Sequence, residues 1–132
     1  MIRFLTNILA KMRRGVIARA HWRLVFWFCI VAVLLLALMP PAPLMPTTGW
    51  DKSNHVLAFC VLAILGRRAY PLHIAAVLLG LLFYGGLIEV LQAFTPYRFA
   101  EWQDLIADGI GIIIGAGLEV FLRKFDRADC SD

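Results

Sequence analysis

Glu89, Gln92, Arg98, Glu101, Asp104 and Asp108 crowd into the stretch YGGLIEVLQAFTPYRFAEWQDLIADGIG, residues 84 to 111, between two strongly apolar runs. A second polar group, Asp51, Lys52, Asn54 and His55, stands upstream of another apolar run. These residue types transfer protons and hold phosphates: carboxylates and imidazole serve as general acids and bases, while Lys and Arg grip anions. An acid or base at a helix centre opposes membrane insertion by about 2.5 to 3.5 kcal/mol, so a chain this apolar that keeps such a cluster is expected to use it.

The setting is a membrane. Of 132 residues, 61% are hydrophobic and 17% charged, and the mean hydropathy is +0.78. Soluble domains sit near 45 to 50% apolar and 25% charged. The net charge of +4 therefore reads as orientation and contact with anionic lipid, and nucleic acid is not an expected partner. Cys29, Cys60 and Cys130 show no CxxC or Cys/His spacing, so no metal and no cofactor is expected from linear motifs.

Four helices must position the polar residues. Residues 1–23 carry six Lys/Arg interleaved with Ile2, Leu5, Ile8, Leu9, Met12, Val16 and Ile17, which predicts a basic amphipathic helix on the membrane surface. Residues 24–39 form an uncleaved signal anchor, because the prolines at 40, 41 and 43 follow without a small-x-small site. Phe26, Trp27 and Phe28 are expected to face lipid as anchors. The run 53–66 is short for a span, about 21 Å, but Trp50 to Lys52 and the snorkelling Arg67 and Arg68 extend it. Residues 72–94 and 104–122 complete the set, and 123–132 form a short cytoplasmic tail that opens on the basic Arg123 and Lys124. If all four cross, eleven Lys/Arg lie on the inner side against two outside, Lys52 and Arg98, as the positive-inside rule demands. The fold expected is all-α: an integral membrane four-helix bundle, residues 24–122, with an N-terminal interfacial helix and both termini cytoplasmic.

On this topology every residue of both polar groups falls at the outer face. Asp51 and His55, Glu89 and Gln92, and Asp104 and Asp108 are three or four apart, so each pair shares a helix face. Gly111 and Gly115 continue the Asp104/Asp108 face and form a GxxxG, which lets backbones approach. Packing is the expected role of Gly80, Gly85, Gly86, Gly109 and Gly117 as well. Glu119 is expected to pair with Arg123 one turn on.

Three ordered blocks then carry a resemblance: Asp51, Lys52, His55 and Phe59; Tyr84, Gly85, Glu89, Gln92, Phe94, Pro96 and Arg98; and Asp104, Asp108 and Gly111. Together, over about residues 40 to 122, they resemble the VanZ-like family of small bacterial membrane proteins. Asp108 departs from the pattern, where Asn is expected. The resemblance implies a shared fold and outer polar site in the bacterial cytoplasmic membrane. The family is named for a protein associated with low-level resistance to teicoplanin, a glycopeptide that targets cell-wall precursors.

Three functions fit these residues. The first is a site that binds or handles an anionic envelope lipid, a phospholipid or a polyprenyl-phosphate intermediate. There Asp51, Lys52, Gln92, Arg98 and Asp104 bind the ligand, and Glu89, His55 or Asp108 relays a proton. The second is an intramembrane hydrolase with Glu89 or Asp108 as general base beside His55, a setting that also suits a divalent metal. The third is a non-catalytic accessory protein with an envelope protein partner, its polar residues only tying helices together.

Overall fold

The computed structural model describes residues 2–40, 50–96 and 101–128, with the side chains of 17–40, 52–96 and 101–124. Its described elements are four helices: α1, Ile2–Leu38; α2, Trp50–Ala69; α3, Ile74–Ala93; and α4, Trp102–Ala128. Three segments are long and apolar enough to cross a membrane: Ile17–Leu38, Ile74–Ala93 and Trp102–Lys124. Helix α2 is more polar, yet its 20 residues rise about 30 Å, the thickness of a hydrocarbon core. Helix α1 runs unbroken through residue 23, so the basic segment and the first span are one continuous rod.

Contacts along the helices fix their directions. Tyr84 donates to the Ile30 carbonyl at 2.6 Å and Gln92 to the Ala37 carbonyl at 3.0 Å, so α3 runs parallel to α1. Arg23 of α1 instead meets the Ala69 carbonyl at the end of α2, and Phe26 packs near Gly66. Helices α1 and α3 therefore run one way, and α2 and α4 the other. Helix α2 touches all three neighbours, whereas α1 and α4 do not meet among the described residues.

The surface is inverted relative to a soluble protein. Leu24, Phe28, Leu72, Phe83 and Ile113 are exposed, while His55, Glu89, Gln92, Asp104, Asp108 and Glu119 are buried. Apolar exteriors suit acyl chains, where buried polar groups find partners within the bundle. The α2 face of His55, Phe59, Leu62, Gly66 and Ala69 is buried throughout, one stripe at three- and four-residue spacing.

Two glycines let α4 lie against the α2 backbone. A Cβ at Gly111 would meet Cys60 N and Phe59 Cβ at 3.1 Å, and one at Gly115 would meet Ala63 Cβ at 3.0 Å. The GxxxG is thus a helix contact. Around Gly80, Gly86, Gly109 and Gly117 nothing lies within 4 Å of a built Cβ, so the packing role expected there does not apply.

Phe26 also departs from expectation. Trp27 and Phe28 are exposed, but Phe26 is 6% exposed and sits in the core, edge-on to Tyr70 at 6.0 Å between ring centroids. Three consecutive helical residues fan through about 200°, so they cannot share one lipid face.

Candidate functional site

Helices α2 and α4 begin at the end of the bundle where α3 finishes, and each contributes polar side chains to one buried cluster. His55 comes from α2 and Glu89 from α3, both 9% exposed; Asp104 and Asp108 come from α4, at 6% and 0%. Glu89 lies four residues before the end of α3 and Asp108 six residues into α4, depths of about 6 and 9 Å.

His55 is the hub. Its Nδ1 lies 2.9 Å from Asp108 Oδ1. An ionised Asp108 can only accept, and the ring proton then sits on Nδ1, with Nε2 turned toward Asp104. Nε2 stands 4.0 Å from Asp104 Oδ2, beyond hydrogen-bond range. One ring nitrogen of His55, one oxygen of Glu89 and one of Asp104 all lie within 4.8 Å of one another. These three supply the donor atoms a metal ion would use.

Two further features hold the acids in place. Gly85 leaves the space that Asp108 fills: a Cβ there would overlap Asp108 Oδ2 and stand 3.2 Å from its Cγ. Glu89 Oε2 accepts the backbone N–H of Glu101 at 2.9 Å, so the residue just before α4 is clamped to α3. Glu89 Oε1 and Asp108 Oδ2 are buried and have no hydrogen-bond partner among the described residues. An uncompensated carboxylate in a low-dielectric interior costs several kcal/mol.

The remaining expected site residues fall elsewhere. Lys52, one turn nearer the bundle end than His55, is part-exposed; it pairs with Glu101 at 3.4 Å and also donates to Gln103. Gln92 is buried but turns its amide to Ala37 on α1, and its carbonyl accepts from Thr95 Oγ1 at 2.7 Å. Arg98 and the side chain of Asp51 lie outside the described residues.

Sequence reasoning missed the Glu101 N–H on Glu89 and the Gln103 contact. A backbone donor carries no residue-type signal, and Gln103 lies on no face shared with Asp104 and Asp108. Chemically, the cluster is an imidazole steered by one carboxylate and facing two more, an arrangement able to pass a proton or coordinate a cation.

Comparison with curated proteins and with solved structures yields no match. The VanZ/LLP1 family model matches residues 2–123, almost the whole chain and all three blocks singled out above. The chain belongs to the VanZ/LLP1 family.

Proposed function

We propose that this protein sits in the bacterial cytoplasmic membrane with both termini in the cytoplasm, and that its buried acid–base cluster handles the headgroup of an anionic envelope lipid at the outer face. The observation that carries the reading is the convergence of His55, Glu89, Asp104 and Asp108 in one buried cluster, with Glu89 Oε1 and Asp108 Oδ2 lacking a hydrogen-bond partner among the described residues. Polar side chains that served only to join helices would be saturated, because interhelical hydrogen bonds contribute well under 1 kcal/mol on average. Orientation follows from charge. With α1 to α4 alternating in direction, eleven of the 13 Lys/Arg gather at the end opposite the cluster, as cytoplasmic residues do. The basic start of α1 then meets the anionic inner leaflet.

In this reading Lys52, part-exposed at the bundle end, attracts the phosphate, and His55 lies one turn deeper; Arg98, in the segment between α3 and α4, is the second cation that the sequence offers. Phospholipid and polyprenyl-phosphate intermediates both present that chemistry. Action on a cell-wall precursor lipid would connect the protein to teicoplanin susceptibility, and a protein partner of the envelope would act at the same face.

Acid–base catalysis on the bound lipid is the second reading, favoured by the 2.9 Å bond from His55 to Asp108, which orients an imidazole as a base requires. Lipid mass spectrometry on the purified protein separates the possibilities. The binding reading expects a retained anionic lipid that Lys52→Ala or Arg98→Ala releases while the protein stays monodisperse. Catalysis expects Glu89→Gln to keep the lipid and lose its conversion. Wild-type protein carrying only bulk lipid in bulk proportions would sink both.

A further inference from the structure

We propose that His55, Glu89 and Asp104 bind a divalent first-row cation, of which Zn2+ and Mn2+ suit the donors best, with Asp108 orienting the histidine. The site is independent of the headgroup reading, though a bound cation would give phosphate a reason to approach a cluster of acids.

Geometry is the first argument. The three donor atoms lie within 4.8 Å of one another, while bonds of about 2.1 Å in tetrahedral array set donors about 3.4 Å apart. Closing the triangle by roughly an ångström needs only side-chain torsions. The Nε2 to Oδ2 separation of 4.0 Å is close to the spacing of two ligands on one ion.

A second, independent observation comes from Glu89. It is 9% exposed, its Oε2 is held by the Glu101 N–H, and its Oε1 lies buried with no hydrogen-bond partner among the described residues. Glu89 is thus pinned within reach of His55 with one oxygen unused, as a metal ligand would be. Asp108 supplies a third argument. Histidines that bind metal commonly donate their other ring N–H to a carboxylate, which fixes the tautomer and turns Nε2 to the ion; His55 and Asp108 stand in that relation.

Charge agrees. A dication offsets the negative charge that the carboxylates of the cluster carry when ionised. One nitrogen and two oxygen donors favour a borderline or hard cation over a thiophilic one. Three protein ligands leave positions for water or a phosphate oxygen. Linear motifs could not reveal the set, since it draws one residue from each of three helices.

The test uses full-length protein in detergent, stripped with chelator and then titrated with Zn2+ and with Mn2+. Calorimetry and elemental analysis should find one saturable equivalent in the wild type for at least one of the two. His55→Ala and Asp104→Asn should weaken binding at least tenfold, and Asp108→Asn by about 10- to 100-fold. Glu101→Gln, at an exposed side chain outside the set, should bind as the wild type does. Where a variant fails to fold, X-ray absorption of the metal-loaded wild type decides: scattering from one imidazole supports the site, and an all-oxygen shell overturns it. Wild type that takes up neither metal stoichiometrically, or His55→Ala that binds at full affinity, also overturns it. Lipid retention is read on the same samples, so loss of lipid with metal kept would remove the headgroup reading and leave this one.

Discussion

The bundle buries acids at both ends, and it treats them in opposite ways. At the end where α2 and α4 finish, Glu119 is 0% exposed yet both its oxygens are taken. Arg68 Nε reaches Oε2 at 3.0 Å and Oε1 at 3.2 Å, and Arg123 Nε reaches Oε1 at 2.8 Å. Arg123 also donates to the Arg67 carbonyl, and Arg68 stacks over Trp22 with Cζ 5.0 Å from the ring centre. At the opposite end Glu89 and Asp108 each keep a buried oxygen without a hydrogen-bond partner among the described residues. A saturated carboxylate between two guanidiniums is a clasp that joins α2 to α4. Carboxylate oxygens without a partner beside a hydrogen-bonded imidazole add no such clasp, and they are the feature on which the proposed ligand site rests.

If that contrast is right, mutations at the two ends should differ in kind. The largest effect on stability is expected from Glu119→Ala, which leaves two guanidiniums facing each other at the bundle edge. Removing one partner of a fully buried pair costs about 3 to 5 kcal/mol; the arginine side chains left here are 30% and 37% exposed, so the cost falls below that range, and the variant should still lose monodisperse protein on size exclusion. Wild-type behaviour there would dissolve the clasp.

Next comes the α2–α4 contact that both clusters depend on. Gly115→Leu drives a side chain into the Cys60 carbonyl and Ala63, and overpacking costs about 1 to 3 kcal/mol. Gly117→Leu, where nothing lies within 4 Å, should leave the thermal midpoint unchanged.

The acid-rich end should respond with less loss. Asp108→Asn and Glu89→Gln each remove a charge while keeping the accepting oxygen, so stability should change by less than about 1 kcal/mol or rise. Thermal unfolding in detergent checks this; a loss as large as that of Glu119→Ala would erase the distinction between the ends. Gly85→Ala sharpens it further by pushing the Asp108 carboxylate off His55, and should reduce metal or lipid retention more than stability.

Smallest of all is Lys52→Ala. Its pair with Glu101 is 43% and 54% exposed at the side chains, and such pairs contribute about 0 to 1 kcal/mol. Stability should hold while retained lipid falls.

Much of this was legible in the residues. Apolar runs located the helices, because length and hydropathy decide what can cross oil. Glu119 and Arg123 paired as their four-residue spacing predicted. Helical period also put His55 and Phe59 on one stripe and Asp104 and Asp108 on another. It said nothing about which stripe meets which. Arg68 clasping Glu119 across 51 positions and Gln92 turning to α1 rather than to Glu89's neighbours came from packing.

By itself, then, the order of residues determined that the chain belongs in a membrane, where its apolar helical runs lie and which side chains are too polar for lipid. These follow from local spacing and transfer free energy, which act within one helix at a time. That the basic N-terminal segment joins the first run in one helix came from the structure. Only the tertiary structure decided that His55 pairs with Asp108, that Glu89 is clamped by a backbone N–H, and that Glu119 has both oxygens taken while Glu89 and Asp108 each keep one without a partner among the described residues. Such choices depend on how closely backbones approach at Gly85, Gly111 and Gly115, a property of helix pairs that no single helix carries.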